Sequence, residues 1–241
     1  MFTVALIGPD GAGKTTIGRE IEQVLSIPIK YVYMGINLEA SNLVLPTTRL
    51  VLEVKRALGK RPDMSGPPDP TRTKSRPKGG IKGLFASLKS GLRLVNRLSE
   101  EWFRQFVVWF YQSRGYVVLF DRHFFFDYYF HHVVNTEVER SLSDRLHGFF
   151  LERLYPRPDL VICLDAPAEV LFLRKGEGTV ALLESRRQEY LHLQDVVKNF
   201  VKVDVTKPKD EVVREVADVI MRFSSRQEVG DPKEENKKIY V

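Results

Sequence analysis

The chain has 241 residues, 43% of them hydrophobic, enough to bury a full core as one α/β domain or one domain with an insertion. Its single cysteine, Cys163, excludes an intramolecular disulfide framework and disfavours a cysteine-built zinc site, and no apolar run approaches the roughly 20 residues that span a bilayer. With no signal-peptide pattern at the start, the expectation is a cytoplasmic protein, peripheral to a membrane at most.

The net charge of +6 is concentrated in one segment. Residues 55–97 hold twelve Lys and Arg against Asp63 and Asp69, so the remainder of the chain is net acidic. Short β-branched runs, apolar on both faces, predict strands at 2–8, 29–35, 116–121, 159–165 and 200–205. Helical periodicity fills the spaces between them, over 15–25, 49–58, 83–114, 141–154, 168–198 and 209–223. Alternation of strand and helix predicts a parallel doubly wound sheet in three layers. Residues 59–80 are nearly devoid of apolar side chains and crowded with Pro and Gly, which predicts a basic flexible insertion. Residues 81–98 place Ile81, Leu84, Phe85, Leu88, Leu92 and Val95 at helical spacing away from Lys82, Lys89, Arg93 and Arg97, a basic amphipathic helix. The tail 224–241 reads as charged and flexible, leaving one domain over 1–223.

Gly8, Gly13, Lys14 and Thr15 fit the phosphate-binding pattern G-x-x-x-x-G-K-[ST] between a strand and a helix, the context that the motif requires. The backbone of Gly8, Gly11, Ala12 and Gly13 is expected to turn its N–H groups around the β- and γ-phosphates of ATP. Lys14 is expected to reach the transferred phosphate, the Thr15 hydroxyl to ligate Mg²⁺, and Thr16 to bond a phosphate nearer the base. A second carboxylate belongs at the end of a neighbouring strand, and VVLFDRH supplies Asp121 for Mg²⁺ with Arg122 beside it as a phosphate fork.

DGAGKTT (10–16), DRH (121–123), PDLVICLDAPAEV (158–170) and ESRRQEYLHL (184–193) resemble, in order and spacing, thymidylate kinase and the thymidylate kinase-like proteins. The resemblance leaves out residues 36–95. It implies a five-stranded parallel sheet of the P-loop nucleoside-monophosphate-kinase type and transfer of the ATP γ-phosphate to an acceptor with Mg²⁺. It also implies a homodimer. Asp10 then faces the acceptor's sugar, and Asp121 and Arg122 serve metal and acceptor phosphate. A lid after the fourth strand brings arginines to the phosphates. Ala12 stands where one branch of the family keeps a P-loop arginine, so the lid must supply that charge from Arg174, Lys175, Arg186 or Arg187. Arg187 best matches the family's R-x-x-Y spacing, with Tyr190, and Arg174 is assigned to ATP.

The chain departs from thymidylate recognition: YMGINLEASN replaces the family's Glu-Pro-Gly-Gly loop, and Phe126 stands where a small hydroxyl residue is usual. Arg97 and Arg104 are out of register for reading a base edge. The acceptor is therefore open between a nucleoside monophosphate and the hydroxyl of a sugar or lipid-linked glycan, which needs a carboxylate base such as Asp10 or Asp127. Asp10, Arg122, His123 and Asp127 are the acceptor-facing candidates, although Asp127 equally suits a helix N-cap. The run FFFDYYF suits core packing better than ring stacking. The basic segment 55–97 reads either as a solvated loop and packed helix or as a dock for an anionic membrane or lipid-linked substrate. Its lack of interleaved aromatics disfavours nucleic acid. A non-catalytic nucleotide-binding switch is the reading from another class. Lid cations and Arg122 weigh against it, because groups aimed at transferred charge serve phosphoryl transfer.

Overall fold

A computed structural model describes residues 1–35, 37, 41, 43–59, 81–134 and 141–229. Its sheet has five parallel strands, β1 (Thr3–Ile7), β2 (Ile29–Tyr33), β3 (Val117–Asp121), β4 (Leu160–Asp165) and β5 (Phe200–Asp204). They lie in the order β2-β3-β1-β4-β5 with helices on both faces, the α/β architecture that the strand–helix alternation predicts. β1, β3 and β4 are buried along their whole length, which is why their sequences are apolar on both faces. Edge strand β5 exposes Lys202 and Asp204 instead.

The register sets Val4 beside Leu160 and Ile7 beside Cys163, and then Val161 beside Phe200 and Asp165 beside Asp204. It is pinned where β1 and β4 begin. Asp159 Oδ2 accepts from Thr3 N at 2.7 Å and from Thr3 Oγ1 at 2.8 Å, while Asp159 N donates to Thr3 Oγ1.

The described residues form two compact units. The first comprises Met1–Tyr31, Tyr116–Leu119 and the described part of Pro158–Val241. Its core joins Val4, Leu6, Leu119, Ile162 and Leu164 of the sheet to Ile17 and Ile21 of α1 (Lys14–Val24). Val212, Val216 and Ile220 of α8 (Lys209–Val229) complete it. The second comprises the described parts of Val32–Gly115 and Phe120–Arg157. It holds α2 (Pro46–Ala57), α3 (Ile81–Ser113), α4 (Phe124–Tyr129) and α5 (Leu142–Arg153). Phe124, Phe125 and Phe126 are buried there, so the aromatic run is core.

Several boundaries differ from the sequence expectation for local physical reasons. Pro46 takes the first helical position, so α2 begins before residue 49. The expected helix over 168–198 divides into α6 (Ala168–Lys175), α7 (Val180–His192) and a 3₁₀ turn over Leu193–Asp195. Gly176 ends α6 in the left-handed region at φ 67°, and the Thr179 hydroxyl restarts the chain by accepting from Leu182 N at 3.2 Å. Helix α8 continues to Val229, past the expected end at 223, while the rest of the expected tail lies outside the described residues. The insertion at 59–80 also lies outside them apart from Gly59.

Ile162, fully buried at the centre of β4, reports on the sheet core. Ile162→Ala is expected to lower stability by about 2–5 kcal/mol, read from the urea midpoint by far-UV circular dichroism.

Candidate functional site

In the first unit the turn after β1 is pressed against the backbone. Gly8 has φ 137°, and a Cβ there would overlap the carbonyl oxygen of Leu164. A Cβ on Gly11 would lie 2.6 Å from the Leu171 carbonyl oxygen. Gly13 is the left-handed cap of α1, and Ala12 is buried beneath the turn. The first amides of an eleven-residue helix therefore stand at the end of the turn, where partial positive charge favours an anion. Lys14 is only 5% exposed, and its Nζ donates to Gly8 O at 2.7 Å and Pro9 O at 2.6 Å, which holds the ammonium over the turn. Thr15 and Thr16 are exposed on the first turn of α1.

The arginines of α6 and α7 are engaged within the same unit. Arg187 forks onto Asp165, with Nε 2.6 Å from Oδ1 and Nη2 3.0 Å from Oδ2, and its Nη1 donates to Glu184 at 3.1 Å. The Asp165 bonds push the guanidinium pKa further up, so the charge is permanent. Arg174 donates to Val205 O at 2.8 Å. Lys175 pairs with Glu177 at 2.8 Å and with Asp10 at 3.6 Å, which ties the acidic residue of the turn to the end of α6.

In the second unit β3 ends in Asp121, fully buried, whose backbone carbonyl accepts from Met34 N. The next residue, Arg122, is the only non-glycine with positive φ among the described residues, at 64°. An L-residue held there stores backbone strain of about 1–2 kcal/mol, a recurrent mark of functional positions. Its side chain runs over Gly35, where a Cβ would meet Arg122 Cδ at 2.6 Å and Tyr33 Oη at 2.7 Å. Burial raises the Tyr33 pKa; the Arg122 charge opposes this, while Asp127 and Asp121 reinforce it. One phenol, one guanidinium and two carboxylates thus share a single electrostatic neighbourhood.

His123 is the N-cap of α4, accepting from Phe125 N through Nδ1 at 3.3 Å, with its ring against Phe120, Phe124 and Phe126. Burial, with the Arg104 charge, pushes its pKa down to about 3, so it is a neutral core residue. The cap is therefore not Asp127, which sits buried inside the first turn of α4.

Around these residues lies a buried ionic cluster that no local pattern in the sequence announces. Arg104 is 3% exposed and donates through Nη1 to Gly35 O at 2.8 Å, while its Nε has no partner. Burial pulls its pKa down, and Glu100 and Glu101 hold it up. Glu101 accepts from Tyr155 Oη at 2.8 Å and lies 3.1 Å from His147 Nε2. Arg97 stands over the Tyr128 ring at 4.9 Å. Charges this deep persist only when paired, and their concentration marks a functional candidate. Asp165 also went unassigned in the sequence, although LVICLD ends a strand in the same way as VVLFD.

No protein-family model and no curated protein matches the chain. Among solved structures it is similar to a deoxyadenosine kinase from M. mycoides with products dCMP and a flexible dCDP bound. That likeness covers 91% of this chain and 99% of the other, at 16% identity and a TM-score of 0.47.

Two outcomes follow from this geometry. Gly35→Ala is expected to cost about 1–3 kcal/mol in urea unfolding, part of which the double variant with Arg122→Ala recovers. For His123, the folded pKa of about 3 lies below the ordinary 6.5, so the unfolded chain takes up the proton first as pH falls. Its stability contribution is complete above pH 6.5 and is lost on descent towards about 3. Urea midpoints across that window are expected to fall less steeply in His123→Asn, which keeps a capping acceptor.

Proposed function

We propose that the chain is an ATP- and Mg²⁺-dependent phosphotransferase that moves the γ-phosphate of ATP to a small acceptor. The carrying observation is the turn of residues 8–16, with its glycines against backbone carbonyls, its lysine buried over it and a helix beginning at its end. Its amides and Lys14 bind and orient the β- and γ-phosphates and draw negative charge off the transferred group. Gly8, Gly11, Ala12, Gly13, Thr15 and Thr16 complete the donor site, and Arg174 borders ATP. Arg187 reaches a phosphate by exchanging its Asp165 fork for phosphate oxygens, a swap between two planar anions that suits a guanidinium.

The Thr15 hydroxyl and the Asp121 carboxylate are each a hard oxygen donor of the kind Mg²⁺ takes alongside nucleotide phosphates, and by donor chemistry each would suit that ion. When bound, it would neutralise charge on the phosphates. On the acceptor side, Arg122 grips an anionic group and Asp10 positions the acceptor body. The leading acceptor is a nucleoside monophosphate. A hydroxyl acceptor, on a sugar or lipid-linked glycan, is the second reading. It is favoured by Asp127, a buried carboxylate in the neighbourhood of Tyr33 and Arg122 that could take the hydroxyl proton.

ADP release is measured with Mg-ATP against dTMP, other monophosphates, nucleosides, sugars and lipid-linked glycans. Acceptor-dependent ADP with a monophosphate supports the leading reading, and ADP only with a hydroxyl acceptor selects the second. Nucleotide binding without turnover on any acceptor overturns the kinase in favour of a switch. Lys14→Ala and Arg122→Ala are each expected to reduce transfer by at least about 100-fold while circular dichroism spectra stay unchanged.

A further inference from the structure

We propose that Arg104, a buried arginine of α3, is a positioning residue that fixes the backbone beneath Arg122 and so sets how that guanidinium meets an anionic group. This rests on the reading of Arg122 as the acceptor-side clamp.

β2 and β3 part at this place. Met34 N donates to Asp121 O at 3.0 Å, and Gly35 and Arg122 each stand one residue beyond that rung, past the ends of both strands. A Cβ on Gly35 would lie 2.6 Å from Arg122 Cδ and 2.7 Å from Tyr33 Oη, so only glycine leaves room for the arginine stem. Glycine brings a difficulty of its own. It rotates more freely than any other residue, so the stem rests on loosely defined backbone unless something fixes that peptide. Arg122 raises the demand, because at φ 64° it holds a conformation that an L-residue leaves when its surroundings allow.

Arg104 supplies the fixing point. Its Nη1 donates to Gly35 O at 2.8 Å, a bond from a charged donor that orients the carbonyl. One turn earlier on α3, Glu100 Oε2 accepts from Leu45 N at 3.2 Å. The helix thus meets the chain after β2 at two points with matched polarity, a cation on a C=O and a carboxylate on an N–H. Tyr33 adds a third tie, its Oη accepting from the backbone N–H of Asn37.

The arrangement is costly. A guanidinium that is 3% exposed has given up its water, and its Nε has no hydrogen-bond partner in return. Glu100 and Glu101 offset part of that burial through their charge. What the arginine adds is a long reach from the helix and a planar head that fixes direction as well as distance. With Nη1 committed to Gly35 and the side chain closed off from solvent, Arg104 acts on an incoming anion through Gly35 and Arg122.

NMR of the ¹⁵N-labelled full chain tests this with two readouts. The three-bond HN–Hα coupling of Arg122 reports its φ. Titration with inorganic phosphate reports the grip of its guanidinium through the Arg122 Nε–H signal, while the amides of residues 8–16 report phosphate in the turn. Arg104→Met keeps the stem and removes the donors. It is expected to shift the Arg122 coupling and to weaken phosphate at Arg122 at least about tenfold, with affinity in the turn within about twofold of wild type. Arg104→Lys keeps the charge that compensates Glu100 and Glu101 but loses the planar fork, and is expected to fall between the two. The lysine variant carries the test should the methionine variant not fold. Wild-type coupling or wild-type phosphate affinity at Arg122 in the folded variants overturns the proposal. So do equal losses at Arg122 and in the turn, the mark of a merely structural residue. Phosphate that moves the turn signals of the wild-type chain but leaves Arg122 unmoved overturns the clamp reading and this proposal with it, and needs no variant to be seen.

Discussion

The first unit depends on one close approach, that of the turn after β1 to the backbone at Leu164 and Leu171. A side chain at position 8 or 11 would push the turn off its neighbours, and the start of α1 and the bonds of Lys14 follow from keeping it there. With the turn pressed down, α1 begins directly at its end, and the Gly8 and Pro9 carbonyls point where Lys14 can bridge them. Steric exclusion shapes the turn and electrostatics then uses the shape.

The second unit is organised in the opposite way, by charges that had to be buried and therefore had to be paired. Glu101 ties α3 to α5 through His147 and to the chain before β4 through Tyr155, while Arg104 reaches from α3 to the carbonyl that follows β2. Truncating one partner of such a network leaves the others uncompensated, at a cost several times that of an exposed pair.

Strand positions are legible because two-sided burial writes continuous β-branched runs, and the turn after β1 is legible because its glycines, lysine and threonine fall at fixed intervals. Side-chain partners were not. Asp165 and Arg187 are 22 residues apart, and the members of the Glu101 cluster lie 46 and 54 apart, so no local period connects them. The helix break at Gly176 shows in the sequence only as a glycine, and an isolated glycine is tolerated inside a helix, so it did not by itself fix the break. The apolar stripe of α3 shows another gap. Periodicity reveals that Leu88, Leu92 and Val95 share a face, but it carries no sign to say whether protein or solvent lies against it.

Thr48 of α2 meets Asn96 of α3, Oγ1 to Oδ1 at 3.3 Å, and that contact bears on chain entropy. A contact that closes a loop this long is already deep in the regime where closure cost grows only logarithmically with length, by about 0.6 kcal/mol for each doubling. Residues could be added to or removed from the stretch between Thr48 and Asn96 with little effect on closure cost. The length of that stretch is therefore free to vary at little cost to the fold.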